Sequence, residues 1–306
     1  EPGRTYFERN EANPLEEDLI IVDEASMLDI SLFYHLLCAL KDGARLILVG
    51  DIDQLPPVGA GEPLKDLMSW GYVPIVRLKR IFRQEEGSGI VENAALIRKG
   101  EMCVPDEAGE FRIVYAADDE DAYRIVMDLC RELNYGNEEN KMLLQVLSPM
   151  YRGVCGVDHL NESLQEMIHG EKVPDGMKFF PGDKVMQTRN DYEKGIYNGD
   201  VGTVWTATPQ KVFVRYFDKE VVGEERFDLR LAYAVTVHKS QGSEYETVIF
   251  ILRPSQHNML QRNLLYTGVT RARKNTILVT APDALRRALA IQHTGNRYSL
   301  FLPFLN

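Results

Sequence analysis

The 306-residue sequence has only four cysteines, and no pattern joins them. Cys38, Cys103, Cys130 and Cys155 are dispersed without a Cys-x-x-Cys pair, which fits a reducing, cytoplasmic setting better than a disulfide framework or a zinc site. No apolar stretch approaches the ~18 residues that a membrane-spanning helix needs, so no membrane partner is expected. A signal-peptide pattern is missing too: the chain opens Glu1-Pro2-Gly3-Arg4, a start expected of the middle of a longer polypeptide. Positive charge is in the minority, with 35 Lys and Arg against 46 Asp and Glu and a formal net charge of −11. That balance argues against coating nucleic acid by bulk electrostatics, although it permits a cleft that holds a few phosphates. There is no internal repeat and no low-complexity tract. What remains is an ordinary globular composition, 44% hydrophobic and 26% charged, long enough for about two domains.

Leu19-Ile20-Ile21-Val22 and Leu46-Ile47-Leu48-Val49 are continuous aliphatic runs, as expected of strands buried on both faces of a parallel sheet. Between them Ile30, Leu32, Phe33, Leu36, Leu37 and Leu40 recur at helical spacing, and Gly43 is a suitable stop. A right-handed crossover makes such strands parallel and opens both C-terminal ends on one edge, where α/β sheets bind nucleotides. Polar residues follow both runs at once: Asp23-Glu24 after the first and Gly50-Asp51 after the second. Further along, Phe111 to Tyr115, Met142 to Leu147, Val248 to Leu252 and Thr276 to Val279 predict a second α/β unit. From about Pro181 to Leu231 the texture becomes short β runs broken by Asn198-Gly199 and Asp218-Lys219, which predicts a small barrel inserted into that unit.

An Asp-Glu pair at a strand end suits nucleotide hydrolysis. One carboxylate can hold the Mg²⁺ that bridges the phosphates, and its neighbour can orient and deprotonate the attacking water. Asp23 and Glu24 are the candidates, in that order. Taken alone, an Asp-Glu dipeptide is more often a solvated pair.

Six further segments occur with it, in order. Val22-Asp23-Glu24-Ala25-Ser26-Met27 resembles the Walker B motif of RecD-like superfamily 1 DNA helicases. Gly50 to Gly59 resembles the family's third motif, Ile81-Phe82-Arg83-Gln84 its fourth, Ala234 to Glu244 its fifth and Leu264 to Ala272 its sixth. Gly182 to Gln187 and Asn198 to Gly202 are similar to the start of its inserted barrel. The resemblance implies an α/β chain of two RecA-like P-loop NTPase motor domains, the first truncated, with an SH3-like barrel in the second. The expected division is a β-hairpin pin remnant over 1–17, the first motor domain over 18–108, the second over 109–180 and 232–306, and the barrel over 181–231.

The same resemblance implies ATP and Mg²⁺ as cofactors, held between the two motor domains, and 5′→3′ movement on single-stranded DNA with unwinding of duplex, in repair or recombination. It assigns catalysis to Glu24, Gln54 and Arg271, with Arg271 as an arginine finger. Nucleotide contacts fall to Asp23, which also takes the metal, and to Arg83, Gln241, Gly242 and Glu244. DNA contacts fall to Thr236, His238 and Lys239. One departure stands out: nowhere is there a Gly-x-x-x-x-Gly-Lys-Ser/Thr phosphate loop, which the family carries upstream of the pin. The chain alone is therefore expected to be inactive. Three other readings stay open on the sequence: the alpha subunit of an exonuclease V complex with its companion subunits, a relaxase-linked conjugation helicase, and a non-catalytic DNA-binding or docking module. Retention of Glu24, Arg83 and Arg271 argues against the module.

Overall fold

The computed structural model describes residues 7–78, 87–216, 222–225 and 228–292. The described residues divide into two compact units, one up to residue 78 and one from residue 87 to 292. Arg83 and the rest of the fourth motif lie outside the described residues.

The first unit contains β1 (Leu19–Val22), α1 (Ile30–Cys38), β2 (Arg45–Leu48) and α2 (Pro63–Trp70). β1 and β2 are parallel, with Leu19 opposite Arg45 and Val22 opposite Leu48. Asp29 starts α1 by accepting the Leu32 N–H at 2.8 Å, so the helix begins one residue after a cap rather than wherever the apolar pattern starts. The expectation of strands buried on both faces is corrected here. Ile20, Val22, Leu46 and Leu48 share a half-buried face, whereas Leu19, Ile21 and Ile47 on the other face are 48%, 61% and 45% exposed. A parallel sheet is buried twice only where both faces are covered, and among the described residues only one face of these two strands is covered. Ahead of β1, Asn10 and Asn13 exchange backbone hydrogen bonds of 3.1 and 3.0 Å and close a tight turn.

In the second unit follow α3 (Gly89–Lys99), β3 (Phe111–Tyr115), α4 (Asp119–Glu132), α5 (Glu138–Leu143), β4 (Leu144–Ser148) and α6 (Val157–His169). The barrel strands are β5 (Lys184–Gln187), β6 (Val201–Ala207), β7 (Lys211–Tyr216), β8 (Val222–Glu225) and β9 (Leu229–Leu231). The chain then returns through β10 (Ala234–Thr236), β11 (Tyr245–Leu252), α7 (Arg262–Val269), β12 (Ala272–Thr280) and α8 (Pro282–Ala290). Five parallel strands form a sheet in the order β10-β4-β11-β12-β3. One face packs Val126 and Cys130 of α4 and Leu160 and Leu164 of α6 against Val146, Ile249 and Ile277. On β11 the side chains alternate, and Phe250 lies against α7 so closely that a Cβ on Gly268 would stand 2.5 Å from its ring.

Helix α3 lies in this second unit and packs beside its sheet. Glu110, just ahead of β3, accepts the Ser88 hydroxyl at 2.6 Å and the Gly89 N–H at 3.1 Å, which pins the start of α3 to the start of β3. The barrel sheet, in the order β8-β7-β6-β5-β9, is antiparallel throughout. Its core is Val185, Val204, Val212, Val214 and Leu229 with Phe179 and Ile196. No described helix is long and apolar enough to cross a membrane.

The barrel is anchored by two adjacent buried charges. Asp183 lies 2.8 Å from His169 Nε2 and accepts the Phe180 N–H at 2.7 Å and the Tyr233 hydroxyl at 2.8 Å. Lys184, also buried, donates to Gln145 Oε1 at 2.9 Å and the Leu144 carbonyl at 3.1 Å. Burial pushes the Lys184 ammonium down to about 7, and the nearby Lys141 adds to the effect. The unfolded chain then binds more protons than the folded one between about pH 7 and the ordinary lysine value, so this group's contribution to stability rises with pH across that window. The buried thiols of Cys103, Cys130 and Cys155, pushed up to about 12, act in the opposite sense above their ordinary range. The measurement is therefore a difference. Urea midpoints of wild type and Lys184→Met, followed from roughly pH 6.5 to 8.5, should diverge in favour of wild type as pH rises. A constant gap would show that Lys184 does not titrate in this range.

Candidate functional site

In the first unit the ends of β1 and β2 press together. Ala25 donates to the Val49 carbonyl at 2.7 Å, and a Cβ on Gly50 would stand 2.8 Å from the Ser26 nitrogen. Only glycine fits there, which explains why this residue opens the Gly50-Asp51 segment. The loop that follows is held in the same way: Ile30 donates to the Ala60 carbonyl at 2.8 Å, and a Cβ on Gly59 would meet the Asp29 carboxylate at 2.0 Å. These contacts bring Asp23, Glu24, Asp51 and Gln54 to one edge of the small sheet.

Glu24 has φ 50° and ψ 36°, the left-handed region that non-glycine residues enter at a cost of roughly 1–2 kcal/mol. That conformation turns the chain sharply off β1 into a short helical turn over Ala25–Met27. Asp23 Oδ1 accepts the Glu24 N–H at 2.8 Å, which orients the carboxylate, and Asp23 is exposed. Among the described residues the Glu24 carboxylate has neither a hydrogen bond nor an ion pair. Asp51 braces the next turn, accepting the Asp53 N–H at 3.0 Å while its carbonyl takes the Gln54 N–H at 3.3 Å. Gln54 itself is half-buried. No three His, Cys, Asp or Glu side chains among the described residues could by themselves hold a metal. One oriented, exposed aspartate nevertheless fits Mg²⁺, which commonly takes one or two carboxylates and completes its shell with phosphate and water.

The fifth motif begins on the sheet's edge strand. β10 lies beside β4, with Thr236 opposite Ser148. Thr236 is buried, and its hydroxyl accepts the Lys239 N–H at 3.2 Å. Its hydroxyl therefore helps to shape the turn that carries His238 and Lys239. His238, Lys239 and Gln241 are half-buried, and Gly242 is exposed at φ 77°. Lys239 Nζ donates to Asn198 Oδ1 in the barrel at 2.8 Å. Its ammonium is lowered from the ordinary lysine value, mainly by burial and then by the nearby Arg230.

The sixth motif places Arg271 at the start of β12, with its side chain 2% exposed. Its guanidinium donates to the Ser243 carbonyl at 3.1 Å and the Thr267 carbonyl at 3.3 Å, and its own carbonyl takes the Tyr245 N–H at 2.9 Å. The fifth and sixth motifs are thus bound to each other through Arg271. Glu244 pairs with Arg273 Nε at 2.7 Å, an ion pair that spacing alone did not reveal.

Three stretches match known domain families: residues 6–112 the AAA domain, 160–216 the ATP-dependent RecD-like DNA helicase SH3 domain, and 231–279 the UvrD-like helicase C-terminal domain. The chain is 38% identical to the ATP-dependent RecD2 DNA helicase of Deinococcus radiodurans, over 97% of this chain and 41% of that protein. It is 33% identical to the RecBCD enzyme subunit RecD of Mycolicibacterium smegmatis, over 96% of this chain and 56% of that one. The chain thus spans about half the length of the relatives it matches. In fold it is similar to the Pif1 helicase from Bacteroides solved with ADP-AlF3 and ssDNA, at a TM-score of 0.56 and 21% identity, covering 94% of this chain and 74% of that one. The Pif1 helicase from Candida albicans gives a TM-score of 0.55 at 17% identity, covering 94% and 76%.

Proposed function

We propose, from the premise that this chain belongs to the RecD-like family of superfamily 1 helicases, that it is the greater part of an ATP-driven DNA motor. The observation that carries this reading is the Asp23-Glu24 pair: two carboxylates at the C-terminal end of a parallel strand, one oriented and exposed, the other unpaired on a strained backbone. Asp23 would hold Mg²⁺, which when bound neutralises phosphate charge. Glu24 takes a proton from the attacking water, and Gln54 orients that water or the terminal phosphate. Arg271 supplies positive charge for the transferring phosphoryl group, with Arg83 as a further cation. The backbone at Gly242 can approach phosphate closely because no side chain intervenes, and Gln241 and Glu244 would contact the nucleotide beside it. Single-stranded DNA is the proposed track, with His238 and Lys239 on the side that holds it. Similarity to RecD subunits supports a second setting for the same chemistry, inside an assembly with other exonuclease V subunits.

The sequence contains no phosphate loop, and that decides the test. Without the lysine and the nest of N–H groups of that loop, the β-phosphate lacks the grip that normally offsets its repulsion from the Asp23-Glu24 carboxylates. The 306-residue chain should show no ATP hydrolysis stimulated by single-stranded DNA. The same chain joined to a phosphate loop with its strand and helix should show it. Equal stimulated hydrolysis by both would place the phosphate grip in other residues. Stimulation in neither would reject the motor reading.

A further inference from the structure

Chain leaving β4 at Ser148 and chain leaving β10 at Thr236 emerge side by side, because these residues are register partners. Just beyond β4, Tyr151 is 40% exposed, and the Arg230 guanidinium lies over its ring, 5.5 Å from the centroid. Arg230 comes from β9 of the barrel and is exposed. Lys239 is near enough to Arg230 for the two charges to repel. Neither cation forms an ion pair among the described residues. Three carboxylates of the barrel have partners of their own, and Glu193 is exposed. Asp228 pairs with Arg189 at 3.4 Å, Asp191 with Lys194 at 2.9 Å, and Asp200 accepts the Tyr197 N–H at 2.9 Å.

Arg230 over the Tyr151 ring and Lys239 on Asn198, neither in an ion pair among the described residues, suit an anion as partner. An exposed tyrosine with a guanidinium on one ring face adds a stacking surface for a flat group. Both features suit a nucleotide with its base unpaired. An acidic peptide would use the cations and leave the ring idle.

We propose that Tyr151, Arg230 and Lys239 form a ledge for one nucleotide of single-stranded DNA, with the base stacked on Tyr151 and a phosphate between the two cations. This rests on the DNA-motor reading and adds to it two residues outside every motif, Tyr151 and Arg230. The barrel thereby takes part in holding the strand, through β9 and through the Asn198 side chain that braces Lys239.

The test is fluorescence anisotropy of a labelled oligo(dT) with the 306-residue chain, as a function of salt. Tyr151→Ala should weaken binding roughly tenfold or more, as expected for loss of one base–aromatic stack, and Tyr151→Phe should retain it. Arg230→Gln should reduce the slope of log affinity against log salt by about 0.7, the value for one single-strand phosphate. With an abasic oligomer of equal length, Tyr151→Ala should have no effect, while Arg230→Gln should still act. No binding of oligo(dT) by wild type would overturn the DNA-motor reading itself. Binding by wild type that Tyr151→Ala and Arg230→Gln leave unchanged would overturn the ledge alone. An equal loss on oligo(dT) and abasic oligomer would show that Tyr151 only positions Arg230. Competition by poly-glutamate as effective as that by oligo(dT) of equal charge would assign the surface to an acidic protein. Thermal unfolding of each variant should match wild type. If Tyr151→Ala unfolds early, Tyr151→Phe and Arg230→Gln carry the decision.

Discussion

In a form of the protein that carries a phosphate loop, Glu24→Gln should keep Mg-ATP binding and lose hydrolysis by about two to four orders of magnitude, the usual worth of a general base. The substitution changes one oxygen to an amide nitrogen and removes the ability to accept a proton. It leaves Asp23 and the Glu24 N–H that orients it untouched. Because Glu24 has no side-chain partner among the described residues, the fold gives up no contact in the exchange. The left-handed backbone stays as strained as before, since glutamine gains no freedom there. Loss of rate with unchanged thermal stability is therefore the expected pair of results, read by single-turnover hydrolysis and an unfolding scan. Wild-type single-turnover rates would remove Glu24 from the role of base. Loss of both rate and nucleotide affinity would make it a binding residue.

The backbone conformation at Glu24 also shows what the sequence could and could not convey. The buried strands of the second sheet were legible because runs such as Val248 to Leu252 are apolar at every position, and β11 covers that run. The same logic misled at β1 and β2. A continuous apolar run gives strand, but it does not say how many neighbours the strand has, and Ile21 is 61% exposed. Helix α6 was harder to read, because its inner face carries polar residues. Asn161 exchanges two hydrogen bonds, of 2.8 and 2.9 Å, with the backbone of Ala234 on β10, doing by polar pairing what a leucine would do by packing. Binary patterning registers such a residue as solvated.

Within the candidate site, chemical identity was readable and pose was not. Asp23 and Glu24 were proposed from their place after a strand, and Gln54, Gly242 and Arg271 from the family resemblance, yet neither could show that Thr236 is buried or that Glu244 is paired with Arg273. Tyr151 and Arg230, proposed above as a ledge for one nucleotide, gave no signal in the sequence. They lie far apart in the chain, on different elements, and only the return of the barrel through β9 brings them together. A lone tyrosine and a lone arginine carry no signal until the topology joins them.

Arg271→Ala, in the form that carries a phosphate loop, should lower turnover by ~10³ or more while shifting Mg-ATP affinity far less, because an arginine that meets charge developing on a transferring phosphoryl group acts mainly on the transition state. The pose of Arg271 makes a structural contribution unavoidable. Its guanidinium satisfies the carbonyls of Ser243 and Thr267, and its removal leaves two acceptors with fewer donors in a buried place. Arg271→Lys separates the two effects. It retains a positive charge and a donor on a flexible stem, but it loses the planar fork that can hold a carbonyl and a phosphate oxygen at once. If Arg271 acts on the phosphoryl group, lysine should restore most of the thermal stability and little of the turnover. If the residue only joins the fifth motif to the sixth, turnover should follow stability through both substitutions. A raised Michaelis constant with turnover intact would make Arg271 a ground-state binding residue and move the finger elsewhere, with Arg83 the next candidate. Steady-state kinetics and unfolding midpoints of the three proteins, compared at one salt concentration, decide among these outcomes.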